Sequence, residues 1–211
     1  SFGYKCRSWN TNIIQLNDNT KKQMNYKYNT KREIRIIKEL DPKIEKINNF
    51  NQYTHFLDLF FNTDGHSNYP NRLKYYKKET WENLKKNHIF FFLKMNNKVY
   101  ATFGIRIFKS RAYWCMVGRT KKFKHSLHAY AIDFLVDFLK SRNIQYLDLA
   151  GYNPNPKNKK EKGIKFFKEK FRGNVINQPT FILDNTSIIK KVRHIFNQFK
   201  KDETFPDESL I

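Results

Sequence analysis

Residues Asn143–Gly173, NIQYLDLAGYNPNPKNKKEKGIKFFKEKFRG, constrain the fold more than any other stretch of the chain. Tyr146–Ala150 reads as a short apolar strand that runs into Gly151 and a Pro/Asn loop. Gly163 then opens a segment with Phe166, Phe167 and Lys168, which Phe171 and Gly173 close. A strand that ends in a polar, glycine-marked loop ahead of a helix is a common place for a ligand, because the loop's backbone is free to meet it. Phe167 and Lys168 are the pair this stretch singles out.

The rest of the chain supplies the frame. Trp9–Leu16 alternates as a strand, and Asn17, Asp18 and Asn19 offer caps for a polar helix over Thr20–Leu40 that ends before Asp41-Pro42. Helical spacing recurs at Gln52–Phe61 (Phe56, Leu57, Phe60, Phe61) and at Arg72–Lys86 (Leu73, Tyr76, Trp81, Leu84). Asp64-Gly65, Asn68 and Pro70 form a turn region between them. Ile89–Met95, the Asn96-Asn97 turn and Val99–Phe108 predict a hairpin, and Ala112–Val117 a third strand. Ser126–Ser141 is the clearest helix: Leu127, Tyr130, Ala131, Phe134, Leu135, Phe138 and Leu139 share one wide face, and Ser126 can cap it. After the strand at Tyr146, Asn174–Leu183 predicts another strand, Ser187–Phe199 a last helix, and Asp202–Ile211 a loose tail. Antiparallel hairpins with one β–α–β step make this an α+β fold. The expected organisation is one domain over residues 1–200, with a lead-in at 1–45, a core at 46–200 and a tail at 201–211.

A chain that is 39% hydrophobic and 17% aromatic folds rather than staying disordered. No apolar run approaches the ~20 residues a membrane span needs, and no secretory leader is legible. Cys6 and Cys115 match no metal or redox spacing, so the expected setting is reducing and cytoplasmic. The net charge of +22 points to an anionic partner such as a phosphate-bearing donor, a nucleic acid or a membrane surface. Lysine outnumbers arginine, however, and planar bidentate recognition recruits arginine, so arginine positions carry more weight than lysine runs.

Several stretches resemble the Fem-type peptidoglycan aminoacyltransferases within the GNAT-type N-acyltransferases. Ser8-Trp9…Ile13-Ile14-Gln15-Leu16 is similar to the family's Trp-containing strand, and Thr30-Lys31-Arg32-Glu33-Ile34-Arg35 to its Thr-Arg-x-x-Ile-Arg helix, with Lys31 at the first arginine. Arg72…Tyr75-Tyr76…Trp81-Glu82-Asn83-Leu84 resembles the segment before the central hairpin. Tyr146-Leu147-Asp148-Leu149-Ala150-Gly151 matches aromatic-x-Asp-x-Gly-Gly, with Ala at the first glycine. Gly163-Ile164-Lys165-Phe166-Phe167-Lys168-Glu169-Lys170-Phe171-Arg172-Gly173 matches Gly-Ile/Val-x-x-Phe-Lys-x-x-Phe-Gly-Gly, with Arg at the first closing glycine. The resemblance implies a GNAT-type fold with a mostly antiparallel central sheet flanked by helices. Fem-type enzymes carry two such folds in tandem, and this chain has room for about one. The absent unit contributes to the family's acceptor site, which leaves a homo-oligomer or a partner fold as an expectation.

Acyl transfer to an amine passes through a tetrahedral oxyanion, and a cation aimed at that oxygen lowers the barrier, often by ~3 kcal/mol. By the resemblance Lys168 has this place and Phe167 shapes the acyl channel; by spacing alone Lys168 is one more solvated lysine beside Lys165 and Lys170. Asp148 is either a general base for the amine or a structural acceptor within the strand. Arg72, Tyr75 and Tyr76 suit the phosphates or sugar of an acceptor, although a tyrosine on the Leu73/Leu84 face is also core. Arg32 and Arg35, from the family-like helix, and Tyr152, from the loop after the strand, complete the candidate substrate-binding set. Arg119, Lys124 and Ser126 are the candidate donor-phosphate residues. Their loop has no glycine, which weighs against the usual pyrophosphate grip at a helix N-terminus. His125 and His128 lie three apart, with no carboxylate or Cys spaced to complete a metal site.

The expected activity is N-acyl transfer, with acyl-CoA or aminoacyl-tRNA as a donor substrate and no tightly bound cofactor. The acceptor is an amine on a nucleotide-linked sugar or a cell-envelope precursor. The alternative is a non-catalytic, basic nucleic-acid-binding module that uses the aromatic and basic residues of Lys165–Phe171.

Overall fold

Phe90-Phe91-Phe92-Leu93 is apolar at every position, the pattern of a strand covered on both faces. In the computed structural model it forms the middle of such a strand. The structure describes residues 4–17, 28–63, 71–120, 123 and 126–183. The chain runs β1 (Tyr4–Gln15), α1 (Tyr28–Glu39), β2 (Lys43–Lys46), α2 (Phe50–Phe61), a 3-10 turn (Arg72–Tyr76), α3 (Lys78–Leu84), β3 (His88–Met95), β4 (Lys98–Phe108), β5 (Arg111–Arg119), α4 (Leu127–Lys140), β6 (Tyr146–Gly151), α5 (Lys159–Glu169) and β7 (Asn174–Leu183). The strand order is β2-β3-β4-β5-β6-β1-β7. β2–β3, β3–β4, β4–β5 and β6–β1 pair antiparallel, and β5–β6 pair parallel across the α4 crossover. The expected α+β architecture, with a mixed and mostly antiparallel sheet, is what the chain adopts.

Two compact units divide the chain. One comprises residues 1–9 with 177–211, and its described residues, Tyr4–Trp9 and Asn177–Leu183, are strand. The other is Asn10–Ile176. In this second unit the sheet separates two cores. Phe91 and Leu93 of β3, Phe103 and Ile105 of β4 and Leu147 and Leu149 of β6 pack with Ile34 and Ile37 of α1 and Leu127, Ile132, Leu135 and Leu139 of α4. Phe90 and Phe92, the alternate residues of β3, face Tyr53, Phe56, Leu57, Phe60 and Phe61 of α2 and Trp81 of α3. Ion pairs pin α1 from two sides: Lys38 to the buried Asp133 of α4 at 3.1 Å, and the buried Lys170 to Glu33, also at 3.1 Å.

Most expected elements are present, with instructive differences. The Arg72–Lys86 helix is a 3-10 turn and a short helix, because Lys77 between them is extended. β2, four residues long and with one side chain (Ile44) on the core, is too short to give a period, and its pairing with β3 defines it. The Asn96-Asn97 turn has both residues at positive φ, 48° and 60°, as a two-residue hairpin turn requires. The lead-in helix is described only from Tyr28. Asp64–Pro70 and the helix expected at Ser187–Phe199 lie outside the described residues.

Gly118 is needed for a close approach. A Cβ there would lie 2.8 Å from Phe60 Cα and 3.0 Å from the Leu59 carbonyl, so the end of α2 rests directly on β5. Gly163 is different. It does not open α5: Asn158 does, its side chain accepting from the Glu161 amide, and Gly163 falls inside the helix with nothing within 4 Å of a Cβ. Gly163→Ala is therefore expected to raise stability by ~1 kcal/mol, the ordinary helix-propensity gain. Chemical denaturation measures this, and an unchanged or lower midpoint overturns the expectation.

Candidate active site

The site is built where β5 and β6 part. Their parallel pairing runs only from Arg111↔Tyr146 to Tyr113↔Asp148. β5 then bulges: Cys115 to Gly118 on β5 spans the same ladder as Gly104 to Thr102 on β4, and Met116 takes up the extra residue at φ 49°. β6 continues against β1, with Thr11 opposite Gly151. The ends of two adjacent strands thus separate, and the edge of β6 beyond Asp148 is free of β5.

Asp148 shapes that edge. It is 1% exposed. Its Oδ1 accepts from the Thr11 hydroxyl and, at 2.7 Å, from the amide of Ala150 two residues on. Its Oδ2 lies 3.8 Å from Arg111 Nη1, and the Arg111 guanidinium sits 5.9 Å from the ring centres of both Tyr113 and Tyr146. The bond to the Ala150 amide closes an Asx-type turn and holds Ala150 at φ 57°. In a regular strand successive carbonyls point to opposite sides. The left-handed residue breaks that alternation, and the Ala150 and Gly151 carbonyls both accept from one donor, Lys168 Nζ, the first at 2.8 Å.

Lys168 comes from the inward face of α5. Phe167 packs against the core with its ring 5.2 Å from Phe171, which is fully buried. Lys168 is 8% exposed. Burial lowers its pKa from the usual lysine value to about 8, and the negative charge of Asp148 opposes the shift. Tyr152 donates to Glu169 Oε1 at 2.8 Å; burial, then this bond, raises its phenol to about 12. Glu161 accepts from the Asn153 and Asn158 side chains and the Lys157 amide, bracing the loop from β6 into α5. Gly173 ends the motif against β1: a Cβ there would lie 2.1 Å from Asn12 Oδ1.

Of the residues expected from sequence, Lys168, Phe167, Asp148 and Tyr152 gather around the end of β6. Asp148 has partners on both oxygens. Tyr75 and Tyr76 pack on Phe61, in the core on the opposite face of the sheet from Phe167, and Tyr76 donates to Asp58 at 2.9 Å. Arg72 is exposed beside them. Arg32 and Arg35 are exposed on α1, and Arg35 is 3.7 Å from Glu39. Arg119 is exposed at the end of β5, while its amide bonds Thr63 Oγ1. Ser126 occupies the cap position of α4 but makes no side-chain cap bond, a correction to the expected cap. His128 makes the tie between α4 and β5 instead, donating from Nε2 to the Gly118 carbonyl at 3.2 Å. Lys124 and His125 lie outside the described residues. Sequence reasoning missed Arg111, Thr11 and Glu169, which become partners only when β1, β5 and α5 meet at β6. Among the described residues no three His, Cys, Asp or Glu side chains are grouped to hold a metal, and no helix is long and apolar enough to cross a membrane.

No family model and no curated protein matches the sequence. Solved structures do. FemX superposes with a TM-score of 0.70 at 10% identity, over 90% of this chain and 68% of FemX. The chain has the fold of FemX. L-PGS from Bacillus licheniformis superposes at 0.57 with 13% identity, over 87% of this chain and 63% of its own. The C-terminal domain of a putative lysylphosphatidylglycerol synthetase from Agrobacterium fabrum superposes at 0.55 with 10% identity, over 88% and 63%. The Fem-type relationship expected from the motifs is thus met at the level of fold, and the chain spans about two thirds of these structures.

Proposed function

We propose that this chain is an N-acyltransferase. It moves an acyl or aminoacyl group from acyl-CoA or aminoacyl-tRNA to an amine of a nucleotide-linked sugar or cell-envelope precursor. One observation carries the reading: α5 delivers a single buried amine, Lys168 Nζ, to the end of β6 where β5 has separated from it. An amine with polar backbone around it, beside a gap between strands, suits a reaction that develops an oxyanion. The Fem-type fold supports the reaction class, and the net charge of +22 supports an anionic donor or acceptor. Since the chain spans about two thirds of FemX, a second fold unit that completes the acceptor site belongs to the proposal.

A thermal-shift panel tests it with CoA, acetyl-CoA, total tRNA and UDP- and dTDP-amino sugars at moderate salt. A ligand bound only by the native state raises the melting temperature, by an amount that grows with the logarithm of its concentration over its Kd. The expected result is a shift with a donor or an amino sugar, and turnover of that pair that falls ~100–1,000-fold in Lys168→Ala, the loss typical of a removed oxyanion donor. A shift confined to tRNA, steepening as salt is lowered, without turnover in the presence of any acceptor, would instead mark a nucleic-acid-binding module.

A further inference from the structure

The aromatic and basic residues of Lys165–Phe171 do not share one surface. Phe167 is half-buried against the core and Phe171 is fully buried, so only Phe166 stands open to solvent, 55% exposed. A base-stacking platform for nucleic acid needs several open rings along a strand, and this stretch offers one. α5 exposes a different combination. Its N-terminal half stands clear of the fold: Lys159, Lys160, Lys162, Gly163 and Ile164 are all exposed, and nothing lies within 4 Å of a Cβ at Gly163. Phe166 falls on one outward stripe with Lys159, Lys162 and Gly163, at the i, i+3, i+4, i+7 spacing of a helix face. The Lys170 ammonium lies 5.3 Å from the Phe166 ring centre and is spent on Glu33.

Charge on this half is one-sided. Five lysines and one acid lie between Asn153 and Phe166. The acid, Glu161, is used within its own loop, accepting from Asn153, Asn158 and the Lys157 amide. Glu169, further along α5, is held by Tyr152 and lies 3.9 Å from Lys165. Lys159, Lys160 and Lys162 pair with no acid among the described residues. An open phenyl ring beside unpaired lysines, on a helix that projects from the body, suits a membrane interface. The ring enters the boundary between headgroups and acyl chains, and the long lysine stems let the ammonium groups reach the phosphates. Lysine fits this task because a point charge on a flexible stem needs no fixed partner geometry.

We propose that the outward stripe of α5 docks this chain peripherally on an anionic bilayer, with Phe166 inserted and Lys159, Lys160 and Lys162 on the phosphodiester headgroups. Docking of this kind goes beyond acyl transfer and does not depend on it. Lys168, bonded to the end of β6, lies on the inward side of the same helix. A docked chain therefore holds that strand end no farther from the headgroups than the length of α5, ~16 Å at the helical rise per residue.

Co-sedimentation with vesicles tests this. Wild type is expected to bind equimolar phosphatidylcholine–phosphatidylglycerol vesicles and to leave phosphatidylcholine vesicles unbound. Phe166→Ser should weaken the binding ~10-fold or more, the effect of removing a buried phenyl group. Gln at Lys159, Lys160 and Lys162 together should weaken it on the order of 100-fold, from ~5-fold per lysine at an anionic surface. All four positions are exposed, so an unchanged melting temperature marks each variant as folded. Two controls separate a seated helix from diffuse attraction of a chain with net charge +22. Ile164→Ser changes an exposed apolar residue on the other flank of α5, and Gln at the exposed Lys43, Lys98 and Lys109 removes equal charge elsewhere. Both should stay within a few-fold of wild type. Control losses equal to those at the stripe overturn the proposal, as do binding that survives the stripe changes and wild type that ignores anionic vesicles. Wild type that ignores vesicles but holds a single-stranded RNA oligomer through the same lysines assigns the patch to nucleic acid and overturns it too.

Discussion

Asp148→Ala is expected to destabilise the chain by ~2–4 kcal/mol, because it strips two buried donors of their acceptor at ~1–2 kcal/mol each. The loss has three sources. The Thr11 hydroxyl and the Ala150 amide lose their acceptor, and the Arg111 guanidinium loses its counter-charge. Ala150 also loses the bond that holds it at positive φ, so the Ala150 and Gly151 carbonyls no longer converge on Lys168. Without the Asp148 charge, burial alone acts on the amine and its pKa falls further. Asp148→Asn keeps an acceptor for the Ala150 amide and is expected to cost less than half as much. Denaturant unfolding of both variants measures this. Equal losses would show that charge pairing with Arg111, and not the turn, is what Asp148 supplies.

Acid should weaken the fold through His128. Its ring packs edge-on to Trp114, 6.0 Å between centres, and donates to the Gly118 carbonyl. Burial, and secondarily the Arg119 charge, lowers its pKa from 6.5 to about 4, against the backbone bond. Between these values the unfolded chain binds a proton that the folded chain does not. The stabilisation is therefore complete above pH 6.5 and drains away as pH falls toward 4. The amplitude is ~3 kcal/mol at ~1.4 kcal/mol per pKa unit. Carboxylates also titrate at the low end, so the informative quantity is a difference. His128→Gln retains an N–H for Gly118 and cannot be charged; the gap between wild type and this variant should close or reverse as pH falls from 7 to 4.5. Parallel stability curves for the two proteins would falsify the assignment.

The motif's departures show how sequence and structure divide the work. The resemblance leads to glycines where this chain has Ala150 and Arg172, and both residues sit at positive φ, 57° and 50°. The motif was thus a record of backbone geometry, legible before the structure, and the substitutions kept the geometry because tertiary bonds impose it. The Asp148 carboxylate holds Ala150, and Gly173 closes against Asn12 next to Arg172. Gly163 is the opposite case: a motif glycine whose φ and surroundings make no demand for one.

Local elements with strong periods are legible in the amino-acid order alone: the α4 face, the β3–β4 hairpin with its Asn-Asn turn, and the strand–loop–helix that carries Lys168. Hydrophobic period and turn chemistry act over a few residues and need no partner to be read. Tertiary structure decided what depends on distant meetings. It broke the Arg72–Lys86 helix at Lys77, made a strand of Lys43–Lys46, and packed the half-buried Tyr75 and Tyr76 against the core across the sheet from Phe167. It also surrounded Asp148 with Thr11 and Arg111 from two other strands. The character of Lys168 is the clearest instance. Its pKa is lowered to about 8 because desolvation is a property of the packed surroundings and not of the residue or its neighbours in sequence.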